Sequence, residues 1–189
     1  MAGTTTNYAL RYQDVGDAPN GAVGLQNLAN DVDAALLALE AKINAINGMA
    51  TGFTGTSTDE VGFSNTSFAA GATVVGSAFT APASGSMVFL FSAQLQQNIN
   101  AQSTFVSIEV KTGGTVGSGT LAGSAANSDR ALICGKAVNA SAPALLQATR
   151  AVYYTGLTPG ATYNVRMMHC VDGGSGTISY REIIMVPQL

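Results

Sequence analysis

Two hydrophobic periods divide the chain. Between residues 21 and 47, Leu25, Ala29, Val32, Leu36, Leu39, Ile43 and Ile46 recur at alternating steps of four and three. That spacing predicts a helix with a heptad stripe, placing Ala29, Leu36 and Ile43 at a and Leu25, Val32, Leu39 and Ile46 at d. Asp17 or Asn20 is placed to cap its start, Pro19 suits the first turn, and Gly48 can close it. A helix packed on its own domain needs an apolar face of similar kind. The strict spacing, with Leu and Ile mixed at a and d, favours self-association into three strands or more.

On either side the period falls to two. In residues 1–20, Tyr8, Leu10 and Tyr12 alternate with polar neighbours ahead of the turn-prone Gly16, Asp17, Pro19 and Asn20. This predicts an extended arm with one sticky face. Such a short strand cannot fold alone, so the face must lie on its own domain or on another protein. From residue 50 to 189, short β-type runs alternate with Gly and Ser punctuation, among them "GSMVFLFSAQLQQ", "STFVSIEVKTGG", "ATYNVRMMHCV" and "GTISYREIIMVP". Seven to nine strands with regular turn signals read as an antiparallel sandwich. The predicted organisation is an arm (1–20), a helical coiled-coil stem (21–48) and a C-terminal β-sandwich (50–189).

Composition narrows the function classes. Of the 189 residues, 47% are hydrophobic and only 10% charged, against about a quarter charged in ordinary domains. The net charge is −3 and the eight Lys and Arg form no basic run, so nucleic acid is not an expected partner. No run approaches the roughly 18–20 apolar residues of a membrane span, and "MAGTTTN" carries no secretory signal pattern. Cys134 and Cys170 are two cysteines without a disulfide framework, read as buried thiols that could still meet across two strands.

Candidate chemistry is sparse. His169 is the single histidine, which removes a histidine-based triad or a multi-histidine metal site. His169, Cys170 and Asp172 with Cys134 could form part of a metal site, but alternating strand residues is the favoured reading. Asp59, Glu60, Asp129 and Glu182 give no reason to pair as a glycosidase would need. "TGGTVGSGTLAG" (112–123) lacks the lysine and the strand–helix setting of a phosphate loop and reads as a flexible loop. No enzyme activity, cofactor or metal is expected.

Two stretches resemble known families. "NYALRYQDVGDAPNGAVGLQNLANDVDAAL" is similar to the N-terminal segment of structural proteins of tailed bacteriophages, particularly those of actinobacterial hosts. Tyr8, Leu10 and Tyr12 match its arm, Asp17 and Pro19 its turn, and Leu28, Ala29, Val32, Asp33 and Leu36 its helix; Gln13 stands where proline is common. "FTAPASGSMVFLFSAQLQ" and the closing "SYREIIMVPQL" resemble C1q/TNF-like jelly-roll domains, while "YTGLTPGATYNVRM" also looks like a fibronectin type III corner with Tyr163 at the tyrosine position. The resemblance implies a mainly β protein with a jelly-roll sandwich, trimeric, displayed on the virion surface after assembly in the host cytoplasm. It implies that Tyr8, Leu10, Tyr12, Asp17 and Pro19 anchor the chain to another virion protein, and that Leu25, Val32, Leu36, Leu39, Ile43 and Ile46 seal the stem. A minor tail or tail-fibre protein contacting host surface glycans is the first expectation; a capsid decoration or head-fibre protein is the second. A soluble cellular C1q/TNF-like binding module and a glycan-cleaving enzyme are the rivals from other classes.

Overall fold

The computed structural model describes Gly3–Thr4, Arg11–Tyr12, the helix Gly21–Asn47 with the side chains of residues 26–40, and residues 52–188. The chain forms two compact units, Met1–Gly48 and Met49–Leu189. In the first, strands β1 (Gly3–Thr4) and β2 (Arg11–Tyr12) pair antiparallel, Gly3 opposite Tyr12 and Thr4 opposite Arg11. The arm therefore doubles back as a hairpin rather than running out as one extended strand. Helix α1 (Gly21–Asn47) follows.

The second unit holds nine strands in two antiparallel sheets. They are β3 (Phe53–Thr56), β4 (Glu60–Phe63), β5 (Gly76–Thr80), β6 (Met87–Gln97), β7 (Ser103–Thr112), β8 (Leu132–Gly135), β9 (Ala144–Tyr154), β10 (Thr162–Val171) and β11 (Gly176–Pro187). One sheet runs β5-β10-β7-β8 and the other β3-β11-β6-β9, with β4 also paired to β11. The protein is mainly β, as its period-two runs predict. Most sheet neighbours are distant in sequence, so the sandwich is held by long-range pairing.

Alternation builds the core between the sheets. Met87, Phe89, Phe91, Ala93 and Leu95 of β6 are buried and meet Val106, Ile108 and Val110 of β7 and Tyr163, Val165 and Met167 of β10 in one cluster. Phe79 and Phe89 pack edge to face with centroids 5.4 Å apart, as do Phe89 and Tyr154. Ile178 and Ile183 of β11 both point into this core although five residues separate them, an odd interval that strict alternation forbids. A bulge resolves the conflict: Ser179 pairs with Gln94 but Glu182 with Ser92, leaving one residue extra. Tyr180 takes φ +47° there, and Arg181 turns inward.

The turn before β6 is equally specific. Gly85 sits at φ +65°, and a Cβ there would lie 2.4 Å from the Leu157 carbonyl oxygen, so no other residue fits "APASG" at that place. Its amide donates to Pro82 O, and Leu157 N–H donates to its carbonyl. The Thr158 amide donates to the Tyr163 hydroxyl at 2.9 Å, which ties the "LTPG" corner to β10.

Candidate functional site

The residues singled out for anchoring divide into described and undescribed. Tyr8, Leu10, Asp17 and Pro19 lie outside the described residues; Tyr12 closes the hairpin opposite Gly3. Along α1, Val32, Leu36 and Leu39 are 38%, 57% and 53% exposed, and Leu28 and Leu37 are exposed as well. Leu25, Ile43 and Ile46 belong to the same helix, with side chains outside the described residues. Among the described residues of this 27-residue helix, the middle of the heptad stripe, Val32, Leu36 and Leu39, is thus uncovered.

A second uncovered apolar surface was not legible as such in the sequence. It is the outward face of β3-β11-β6-β9. Register sets Leu90 between Ile184 and Ala151, Val88 between Val186 and Tyr153, and Phe53 opposite Ile184. Phe53 is 66% exposed and Tyr153 57%, while Val88 and Leu90 are half-buried within the sheet itself. Beyond them the face turns polar, with Ser92, Gln94 and Gln96 of β6 opposite Thr149, Gln147 and Leu145 of β9. Glu182, which accepts a hydrogen bond from the Ser92 hydroxyl at 3.2 Å, is the sole charge in these rows of β3, β11, β6 and β9. An apolar patch with so little charge around it marks an interaction surface. The signal was present in the β6 run: Val88 and Leu90 occupy the phase opposite to Phe89 and Phe91, so that strand is apolar on both faces over its first half.

The outward face of the other sheet is covered. The run 112–123, expected as a flexible loop, is instead held down at Gly113, Gly117 and Ser118 by Asn164. Its carbonyl oxygen accepts from Gly117 N–H at 2.8 Å, and its amide donates towards the carbonyls of Lys111, Thr112, Gly113 and Ser118. Beside it, Glu109 bridges Arg166 and Lys111, and Lys111 donates on to Gly117 O. The Ser107 hydroxyl donates to Arg130 O.

The residues weighed for catalysis are scattered. His169 is 3% exposed, with its ring 4.1 Å from that of Phe63. Burial pushes its pKa down to about 4, a neighbouring Glu60 opposing and Arg181 assisting. Glu60 accepts from the amides of Ala72 and Thr73 and faces Arg181 at 3.8 Å. Its carboxyl is raised by burial but lowered more by those two amides and Arg181, with a net downward shift. Asp172 accepts from Ser103 N–H, Asp129 lies in a single 3-10 turn (Ser128–Arg130), and Glu182 is on the opposite sheet face.

Cys134 and Cys170 are both buried but occupy opposite faces of one sheet. Cys134 pairs with Thr104, next in register to the Phe105 that pairs with Cys170, so their side chains alternate away from each other. Burial raises both thiols, that of Cys170 to about 11, with Asp172 adding to it. In this arrangement the two thiols cannot pair with each other, and burial disfavours the reactive thiolate of both. Among the described residues no group of three or more His, Cys, Asp or Glu gathers as metal ligands, and no helix there is long and apolar enough to cross a membrane. What the geometry offers is surface for association, one stripe on a helix and one face of a sheet. No family model matches the chain, and no curated protein matches it.

Proposed function

We propose that the chain is a non-enzymatic virion structural protein of a tailed bacteriophage, a homotrimeric minor tail or tail-fibre protein that meets the host surface. The observation that carries the association is the pair of uncovered apolar surfaces: Val32, Leu36 and Leu39 on α1, and Phe53, Leu90, Ile184 and Tyr153 on the sheet. Exposed at this density, they need partners, and copies of the same chain supply both.

The strand order supports the jelly-roll reading. With β4 set aside, the sheets run first-eighth-third-sixth and second-seventh-fourth-fifth, the order of a double Greek key. The arm–helix resemblance supports the virion assignment, and the scarcity of paired titratable groups supports a binding role over a hydrolytic one. In this reading the arm residues Tyr8, Leu10, Tyr12, Asp17 and Pro19 hold a second virion protein, α1 joins three copies, and the sandwich carries the host-facing loops. Deleting residues 1–20 should leave the trimer folded, by mass in solution, but absent from assembled particles. Normal incorporation of that truncation would overturn the anchor. Gold-labelled antibody should mark the tail; label on the head would replace the tail role with capsid decoration.

A further inference from the structure

Six basic residues have described side chains in the sandwich, and three of them, Lys111, Arg166 and Arg181, face carboxylates. Of the other three, two converge on one place. Arg130 and Arg150 line an open pocket of about 480 Å³ with Gly123, Ser124, Tyr153 and Tyr154, along the free edge of β9. That volume lies within the roughly 300–1,000 Å³ of small-ligand sites. The Arg150 guanidinium donates to Ala131 O at 2.8 Å and Asp129 O at 2.6 Å, which fixes it in place. Arg130 stacks 4.3 Å above the Tyr154 ring and donates to Tyr153 O at 3.5 Å, while the Tyr154 hydroxyl donates to Ser124 O. Neither arginine has a carboxylate partner among the described residues. Two positioned, charge-uncompensated guanidiniums in a chain of net charge −3 are a recognition site for an oxyanion.

We propose that this pocket binds an acidic saccharide, its carboxylate or phosphate taken by Arg130 and Arg150 and its hydroxyl groups meeting Ser124 and Thr155, which line the same opening. A peptide strand adding to the β9 edge fits less well, because Arg130 already occupies the Tyr153 carbonyl that a ladder would need. The site belongs to the sandwich and stands whether or not the chain is a virion protein, so its failure leaves the incorporation test above untouched.

The test is titration of the full-length protein, followed by NMR or calorimetry, with a glucuronic-acid oligosaccharide, a phosphorylated sugar, a neutral glucose oligosaccharide and an acidic peptide. At least one acidic sugar should bind at least tenfold more tightly than the neutral one, and the tighter of the two identifies the anion. Binding should weaken several-fold as salt rises from about 50 to 500 mM. Ser124→Asp places a repelling carboxylate at an exposed position without touching an arginine contact, and should weaken binding tenfold or more. Arg130→Gln should do the same. Equal binding of neutral and acidic sugars, no binding of any sugar, preference for the acidic peptide, or an unaffected Ser124→Asp variant would each overturn the assignment.

Discussion

The two sheets of the sandwich solve the same problem in opposite ways. Each has an inward face of Val, Ile, Phe and Met and an outward face that needs an environment. On β5-β10-β7-β8 the outward rows are polar at one end, with Asn164 beside Lys111 and Arg166 beside Glu109, where the chain lays its own loop over them, and carry Met168, Cys170, Phe105 and Ile133 towards the other. On β3-β11-β6-β9 the outward rows carry Phe53, Ile184, Leu90 and Tyr153 with one carboxylate, and no described segment of the same unit is laid over them. A buried side-chain amide that pairs with the Gly117 amide and with the Gly113 and Ser118 carbonyls is a local device; it fixes a loop and nothing more. A bare apolar face stabilises only when a second surface arrives. The difference assigns self-sufficiency to one sheet and association to the other.

The largest effect should come from breaking the associating face. Leu90→Glu combined with Ile184→Glu puts two charges into the centre of the apolar patch, and the mass in solution should fall from three chains to one. Because both positions face outward, the unfolding free energy of the released sandwich should change by less than about 1 kcal/mol. A variant that stays trimeric would locate association in α1 alone; Leu36→Glu with Leu39→Glu then removes it.

Asn164→Ala attacks the self-covered face and should act without changing oligomeric state. It removes the bond from the Gly117 amide and the two short bonds to the carbonyls at 113 and 118, leaving these groups unpaired. At about 1 kcal/mol for each bond lost, the cost is about 3–4 kcal/mol in denaturant unfolding. Limited proteolysis should begin within residues 113–130. Cleavage there in the wild type at an equal rate would contradict the anchoring.

These two regions also differ in how far the sequence disclosed them. The strands β5, β6, β7, β10 and β11 were legible because each carries enough β-branched and aromatic residues to announce itself. β3 and β4, "FTGT" and "EVGF", were missed: they are short, glycine-containing and, in β4, acidic, and only pairing to β11 makes them strands. That override by tertiary context is what local propensity cannot carry. The heptad stripe was readable because period alone defines it. The anchored loop was not, since Asn164 stands roughly fifty positions from its partners and an asparagine in a strand gives no signal of the loop it holds. The carboxylates and thiols read as unpaired for catalysis are placed apart by register, which alternation in "MMHCV" already implied for His169 and Cys170. The Arg130–Arg150 pocket had no sequence signature at all, because it is made where a loop meets an edge strand.

The two polar clusters should separate under acid. Between the sheets, His169 has a folded pKa of about 4 against about 6.5 in the unfolded chain. From pH 6.5 down to 4 the unfolded chain takes up that proton first, so stability falls as pH drops through this window and the histidine contribution levels off below it. Glu60, lowered in the fold, works in the same direction, its contribution present above its unfolded pKa and lost as pH falls through the folded one. The histidine part of that loss should be about 3 kcal/mol. His169→Gln should flatten the slope between pH 6.5 and 4; an unchanged slope would place the titrating group elsewhere.

Glu109→Gln should give the smallest change and the sharpest reading of the covered face. Glu109 is itself buried, but Lys111 and Arg166, which it bridges, keep partial contact with water. They are rehydrated when the carboxylate is lost, so the net contribution stays near that of a solvent-accessible pair, about 0–1 kcal/mol. The substitution should therefore cost at most about 1 kcal/mol, well below Asn164→Ala, and the difference from wild type should shrink as salt is raised. That ranking distinguishes a loop held by neutral amide bonds from one held by charge. Were Glu109→Gln to release residues 113–130 to proteolysis as Asn164→Ala does, the ion pairs would be the anchor. The covered sheet would then depend on salt, as an apolar face built from Leu90 and Ile184 does not.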